Sequence, residues 1–252
     1  MKRGRRAKAG LISFFILIFL ISPITTGGSA FNMALAETEQ TVEPEGAPSG
    51  QKINDPYEHS NRKVFAFNDR LYFDVLKPVT KVYSAFLPLD VRESINQWFH
   101  NAVFPARFIN FVLQGKADKA SNEAARFVIN STLGAAGLFD FAQARFGLEN
   151  HEADFGQTLA LWGVGAGDFL MIPLLGPSDS RDLLGYAVDT AMDPIVWLPA
   201  AWWVIFSVHT EKFTNYTSLH GGEYEELIKA SLDPYIATRD GYIQYREHMI
   251  SK

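Results

Sequence analysis

The chain has 252 residues, with 23 Lys+Arg against 28 Asp+Glu, a formal net charge of −5, and no cysteine. Disulfides, thiolate metal sites and a cysteine nucleophile are therefore excluded. The acidic balance also argues against nucleic acid as a partner, because a phosphate backbone needs a basic surface.

The first element in chain order is an export signal. Lys2, Arg3, Arg5, Arg6 and Lys8 precede an apolar run from Leu11 to Ile21, which Pro23 ends. Ala34-Leu35-Ala36 then supplies an A-x-A site, with Ala30 as a second choice. This order predicts a cleavable signal peptide over 1–36. The apolar core is shorter than the ~20 residues that span a bilayer. Cleavage after Ala36 removes five basic residues and no acid, leaving 18 basic against 28 acidic and a net charge of −10. Residues 37–53 are polar and rich in Glu, Thr, Pro and Gly, which predicts a disordered linker. A folded domain is expected over 54–252.

Within that domain, helix-start signals dominate. Asp55-Pro56-Tyr57-Glu58 places Asp at the N-cap, Pro at N1 and Glu at N3. Asp90 with Glu93 repeats the spacing, and Asp193-Pro194 and Asp233-Pro234 repeat the Asp-Pro start. The first apolar stripe, from Val64 to Leu76, is expected to stop at Pro78. A short helix follows from Pro105 to Gln114-Gly115, and another runs from about Asp118 to Leu133 with Gly134 as C-cap. The fold class predicted is all-α.

Two segments stand apart. The apolar runs Thr158–Trp162 and Phe169–Leu175 flank Gly163-Val164-Gly165-Ala166-Gly167, which predicts a hairpin bent at the glycines. Pro194 to Val208 holds Trp197, Trp202 and Trp203. Two readings stay open for it: a membrane interface, where amphipathic aromatics settle, or a buried core helix.

Catalytic signatures do not assemble. Asp154-Phe155-Gly156 spells a kinase metal triplet, without a Gly-rich loop or an H-R-D motif. No G-x-S-x-G elbow exists, and the six histidines lack metal-ligand spacing. The cluster His151, Glu152 and Asp154 reads as a solvated loop. The sequence therefore predicts no enzyme, no metal and no cofactor. One signal remains: Arg62, Asn68, Arg107, Asn110, Arg126 and Asn130 interrupt apolar helices. Buried Arg or Asn is costly unless paired. These six are expected to face one another or a wet channel between helices.

In these blocks the sequence resembles the MlaA (VacJ) family. The resemblance rests on Asn54-Asp55-Pro56-Tyr57-Glu58, Asn61-Arg62, Phe65-Ala66-Phe67-Asn68, Pro105-Ala106-Arg107-Phe108-Ile109-Asn110 and Leu113-Gln114-Gly115. It continues through Arg126 to Asp140, then Asp154 to Leu159, Trp162 to Gly167 and Arg181-Asp182. Ser231-Leu232-Asp233-Pro234-Tyr235 with Arg239 matches the tail, so the likeness covers about 54–246. The resemblance implies a ring-shaped helical body in the inner leaflet of the Gram-negative outer membrane. It implies an amphipathic channel that moves phospholipid from the outer leaflet to a periplasmic MlaC-like carrier, maintaining lipid asymmetry. An outer-membrane porin trimer is an implied partner, and Gly163, Gly165 and Gly167 would influence channel opening. Many relatives carry a lipobox cysteine, absent here, which implies an exported, unlipidated protein held by its own folded surface. The competing expectation is a porin-associated scaffold without transport activity.

Overall fold

The structure, a computed structural model, describes residues 55–252. The expected signal peptide, the linker and Asn54 lie outside the described residues. Ten α-helices and one two-stranded antiparallel hairpin make up the described chain, so the mainly helical fold expected from the sequence is present.

The first helix, α1 (Glu58–Leu71), runs directly into a π-helical turn, Tyr72–Leu76, and on into α2 (Lys77–Phe86). Pro78 therefore does not stop the helix. The wider turn before it makes room for the Pro78 ring inside a continuous helix. The π turn is pinned from outside, since the Tyr72 hydroxyl donates to the Gly221 carbonyl at 2.7 Å and Lys77 pairs with Glu225 at 2.7 Å.

Helices α3 (Leu89–Ala102), α4 (Phe104–Leu113) and α5 (Ala117–Thr132) follow. Helix α4 packs on α5 through Phe111 and Ala120, with Phe104 stacked on Phe127 at 4.3 Å. After α5 and α6 (Phe141–Phe146) comes α7 (Phe155–Leu161), then β1 (Phe169–Ile172), β2 (Gly176–Asp179) and α8 (Ser180–Met192). A 3-10 turn (Pro194–Trp197), the long α9 (Trp202–Ala230) and α10 (Pro234–Ser251) complete the chain. Phe169, Met171, Tyr235 and Tyr242 form a core cluster where the hairpin meets α10.

Several local expectations are corrected. Asp55 does not cap α1, whose N-cap is Tyr57. It instead accepts hydrogen bonds from Asn61 at 2.9 Å and from Tyr235. Asp90 lies inside the first turn of α3, because Pro88 is the N-cap. Gly134 does not cap α5: left-handed backbone falls at Ala135, Ala136 and Gly137, and Leu133 is the C-cap. Asp193 caps only the 3-10 turn, whereas Asp233 caps α10 as expected, accepting from the Tyr235 and Ile236 amides.

The hairpin is also displaced from its expected place. Thr158 to Leu161 belong to α7, and the strand pair bends at Pro173–Leu175 rather than at the glycines. The glycine run instead ends a helix. Gly163 takes φ 89° and its amide bonds Ala160, while Val164 bonds Leu159, a Schellman closure that a residue with a Cβ resists. Residues 161–167 are all exposed.

Trp197, Trp202 and Trp203 are 72%, 68% and 52% exposed, so the buried-core reading of this segment fails. Every residue from Trp197 to Trp203 is exposed and none is charged. Among the described residues, no helix is long and apolar enough to cross a membrane.

Candidate functional site

Helices α3, α4, α8, α9 and α10, with the hairpin and the loop before α7, surround a cavity of about 460 Å³. Each helix presents one stripe at helical spacing. Asp182, Tyr186 and Asp189 come from α8, Lys212, Tyr216 and His220 from α9, and Tyr242, Arg246 and Met249 from α10. Phe99, Ala106, Ile172, Leu175, Pro177 and Met249 add apolar surface to the lining. The lining is thus part ionic and part hydrocarbon.

One side of the ionic lining depends on a close helix crossing. A Cβ on Gly185 would lie 2.4 Å from the Gly156 nitrogen, so α7 and α8 approach only because both positions are glycine. The approach gathers three charges. Arg246 reaches Asp154 with two nitrogens, at 2.6 and 3.0 Å, and its Nε sits 2.5 Å from Asp182. The Tyr242 hydroxyl donates to Asp182 at 2.7 Å, and Arg181 donates to it at 2.8 Å. Asp154 also caps α7, accepting from the Gln157 amide at 2.8 Å. Asp154 and Gly156 therefore have structural roles in the triplet that mimics a kinase motif.

Behind this group, Asp189 accepts from the Phe155 amide at 2.9 Å and from Asn110 at 2.9 Å. Burial pushes the Asp189 carboxyl up to about 7, helped by the nearby Asp154 charge. Across the cavity, Arg107 pairs with Glu123 at 3.1 Å and touches the His100 ring, which meets Glu152 at 3.1 Å. Burial raises the Glu152 carboxyl, but the facing His100 and Arg107 overcome it and hold it at about 2.

The six polar residues singled out from sequence separate by role. Arg107 lines the cavity, and Asn110 lies directly behind it, bonded to the lining residue Asp189. Arg126 and Asn130 converge on Asp140 at 2.8 and 3.0 Å. Arg62 pairs with Asp233 at 2.9 Å and with Glu58 at 2.8 Å, stacked over the Tyr235 ring. Asn68 clamps the hairpin turn, donating to the Ile172 carbonyl at 3.0 Å and accepting from the Leu174 amide at 2.9 Å. Gly163, Gly165 and Gly167 lie in the exposed loop and are not among the cavity-lining residues.

Sequence reasoning missed most of the lining. His100 and His220 face the cavity, as do Glu152 and Asp154, so the expected solvated loop is a wall of the site. Lys212, Tyr216 and His220 recur every four residues, and that spacing of polar groups on one helix face was the available signal.

A model of the family described as MlaA lipoprotein matches residues 53–249, nearly all of the described domain. The chain belongs to the MlaA family. The Haemophilus influenzae intermembrane phospholipid transport system lipoprotein MlaA is 31% identical over 236 residues, covering 91% of this chain and 87% of that protein. The Escherichia coli protein of the same name is 29% identical over 203 residues, 77% of each chain. An uncharacterised Rickettsia prowazekii protein is 33% identical over 198 residues, 78% of each chain. A solved structure from work on the maintenance of bacterial outer membrane lipid asymmetry superimposes with a TM-score of 0.66 at 31% identity. It covers 78% of this chain and 98% of that one. The MlaA-family match therefore includes every element that lines the cavity.

Proposed function

We propose that this chain acts in intermembrane phospholipid transport, withdrawing phospholipids from the outer leaflet of the outer membrane through the cavity and so maintaining lipid asymmetry. The observation that carries this reading is the cavity with its two kinds of lining. A lipid leaving a leaflet needs a polar path for its headgroup and an apolar one for its tails, and this cavity offers both. Charges in such a recess act through a low dielectric and so count for more than on the surface. No bond has to change, so no catalytic group is required.

The receiving partner in this reading is an MlaC-like periplasmic carrier, and a porin trimer holds the chain at the membrane. The uncharged segment Trp197–Trp203 adds an interfacial contact, since indole rings settle at the headgroup level. The sequence holds no cysteine, so this folded surface, rather than a lipidated cysteine, provides attachment after export. A porin-bound scaffold is the second reading, but a scaffold has no use for a cavity of this size. Surface-exposed phospholipid measured in a deletion strain, with and without this chain, tests the proposal. Restored asymmetry on complementation is expected, and no difference between the two strains would overturn it.

A further inference from the structure

Most of the charge in the cavity is already matched. Arg246 is held by Asp154 and Asp182, and Arg107 by Glu123. Lys212 differs. It lines the cavity, and among the described residues its ammonium has neither a salt-bridge carboxylate nor a hydrogen-bond acceptor. The nearby acids are committed elsewhere: Asp193 accepts from the Ile195 amide at 2.9 Å, and Glu152 meets His100 at 3.1 Å. Burial pushes the Lys212 pKa down, and Arg107 adds to this against the opposing charges of Asp193 and Glu152. One turn further along α9, the buried Tyr216 hydroxyl has no hydrogen-bond partner among the described residues either. Burial pushes the Tyr216 pKa up, which keeps it protonated and able to donate.

Two unmatched donors on one helix face, in a recess that also has apolar lining, define an anion site with room for a hydrocarbon neighbour. Lys212 is half-buried, and an unpaired cation in such a recess costs stability unless an anion joins it. We propose that Lys212 and Tyr216 bind the headgroup phosphate of a phospholipid, Lys212 supplying the charge and Tyr216 a directed hydrogen bond. This rests on the transport reading and names the residues that hold the cargo. The anion is a phosphodiester rather than free phosphate, because the adjoining wall built by Phe99, Leu175, Pro177 and Met249 suits acyl chains.

The purified chain, titrated in mild detergent with dioleoylphosphatidylglycerol, dioleoylglycerol and inorganic phosphate, tests this by native mass spectrometry. Wild type should prefer the phospholipid to dioleoylglycerol by about tenfold or more, the scale of a charge-assisted contact. Lys212→Gln should abolish that preference, and Lys212→Arg should keep most of it. Lys212→Met should lose the preference yet raise Tm, a pairing that a purely structural lysine would not give. Equal phospholipid binding by wild type and Lys212→Gln would overturn the assignment while leaving transport intact. Phosphate binding as tightly as the phospholipid would overturn the lipid as the source of the anion. A wild type that binds no phospholipid would overturn both this site and the transport reading.

Discussion

Asn61 and Asn68, two turns apart on α1, bind β1 and the turn that follows it, respectively. Asn61 donates to the Phe169 carbonyl at 3.1 Å and accepts from the Met171 amide at 2.9 Å, while Asn68 repeats the pattern at Ile172 and Leu174. A two-stranded hairpin is marginal alone, and these amides supply the pairing that a third strand would otherwise provide. They hold the hairpin against the cavity, whose lining includes Ile172 and Leu175.

Asn68→Ala should therefore loosen the turn, where Leu174 adopts φ 68°. Losing both hydrogen bonds is expected to cost about 1–3 kcal/mol. Urea unfolding measures the loss, and hydrogen exchange should show it concentrated at Leu174. A uniform change across the chain would refute the clamp.

Arg246→Met should be more damaging. It leaves Asp154 without its guanidinium partner and Asp182 with Arg181 alone, and breaking such a buried pair costs roughly 3 kcal/mol or more. Arg246→Lys should recover only part, because a point charge cannot reach Asp154 with two nitrogens and Asp182 as well. Chemical denaturation of the three proteins separates these outcomes.

Gly185→Ala tests the helix crossing. A methyl 2.4 Å from the Gly156 nitrogen has to push α7 from α8, at a cost of about 1–3 kcal/mol. A Tm equal to wild type would show that the crossing yields freely.

Asp189 gives stability a defined pH dependence. Its carboxyl is raised to about 7 in the folded chain, against about 3.9 for a free Asp. The folded state then holds the proton more tightly, so this contribution is fully present below about pH 4 and is lost as pH rises through 7. Asp189→Asn removes the ionisation and should flatten that part of the curve. Glu152, held at about 2, acts in the opposite sense: its contribution is present above the ordinary Glu range and is lost as pH falls through 2. Thermal unfolding between pH 4 and 8, for wild type and Asp189→Asn, reads the Asp189 effect.

Much of the fold was legible because its helices announce themselves locally. The Asp233-Pro234 start and the Gly115 stop depend on adjacent residues alone, and both stand where expected. Asp55 and Asp90 misled because an Asp before a helix can equally serve a distant partner, here Tyr235 in the case of Asp55. Pro78 misled because the π turn that accommodates it is pinned by Gly221 and Glu225, far away in sequence. The site was harder still. Arg126 and Arg107 look alike as basic residues in apolar helices, yet one closes on Asp140 and the other lines the cavity. Only the packing of α3, α8, α9 and α10 decides between them.

Phospholipid passage through the cavity can be tested directly, because the absence of cysteine allows a single one to be placed at will. A single Leu183→Cys on the cavity wall can be reacted with a bulky maleimide, with Lys63→Cys on the exposed face of α1 as control. Surface-exposed phospholipid is then measured in cells that depend on each variant. Labelling at 183 should raise it to the level of the deletion strain, and labelling at 63 should leave it unchanged. Full lipid asymmetry with the cavity blocked at 183 would show that phospholipid does not pass through it.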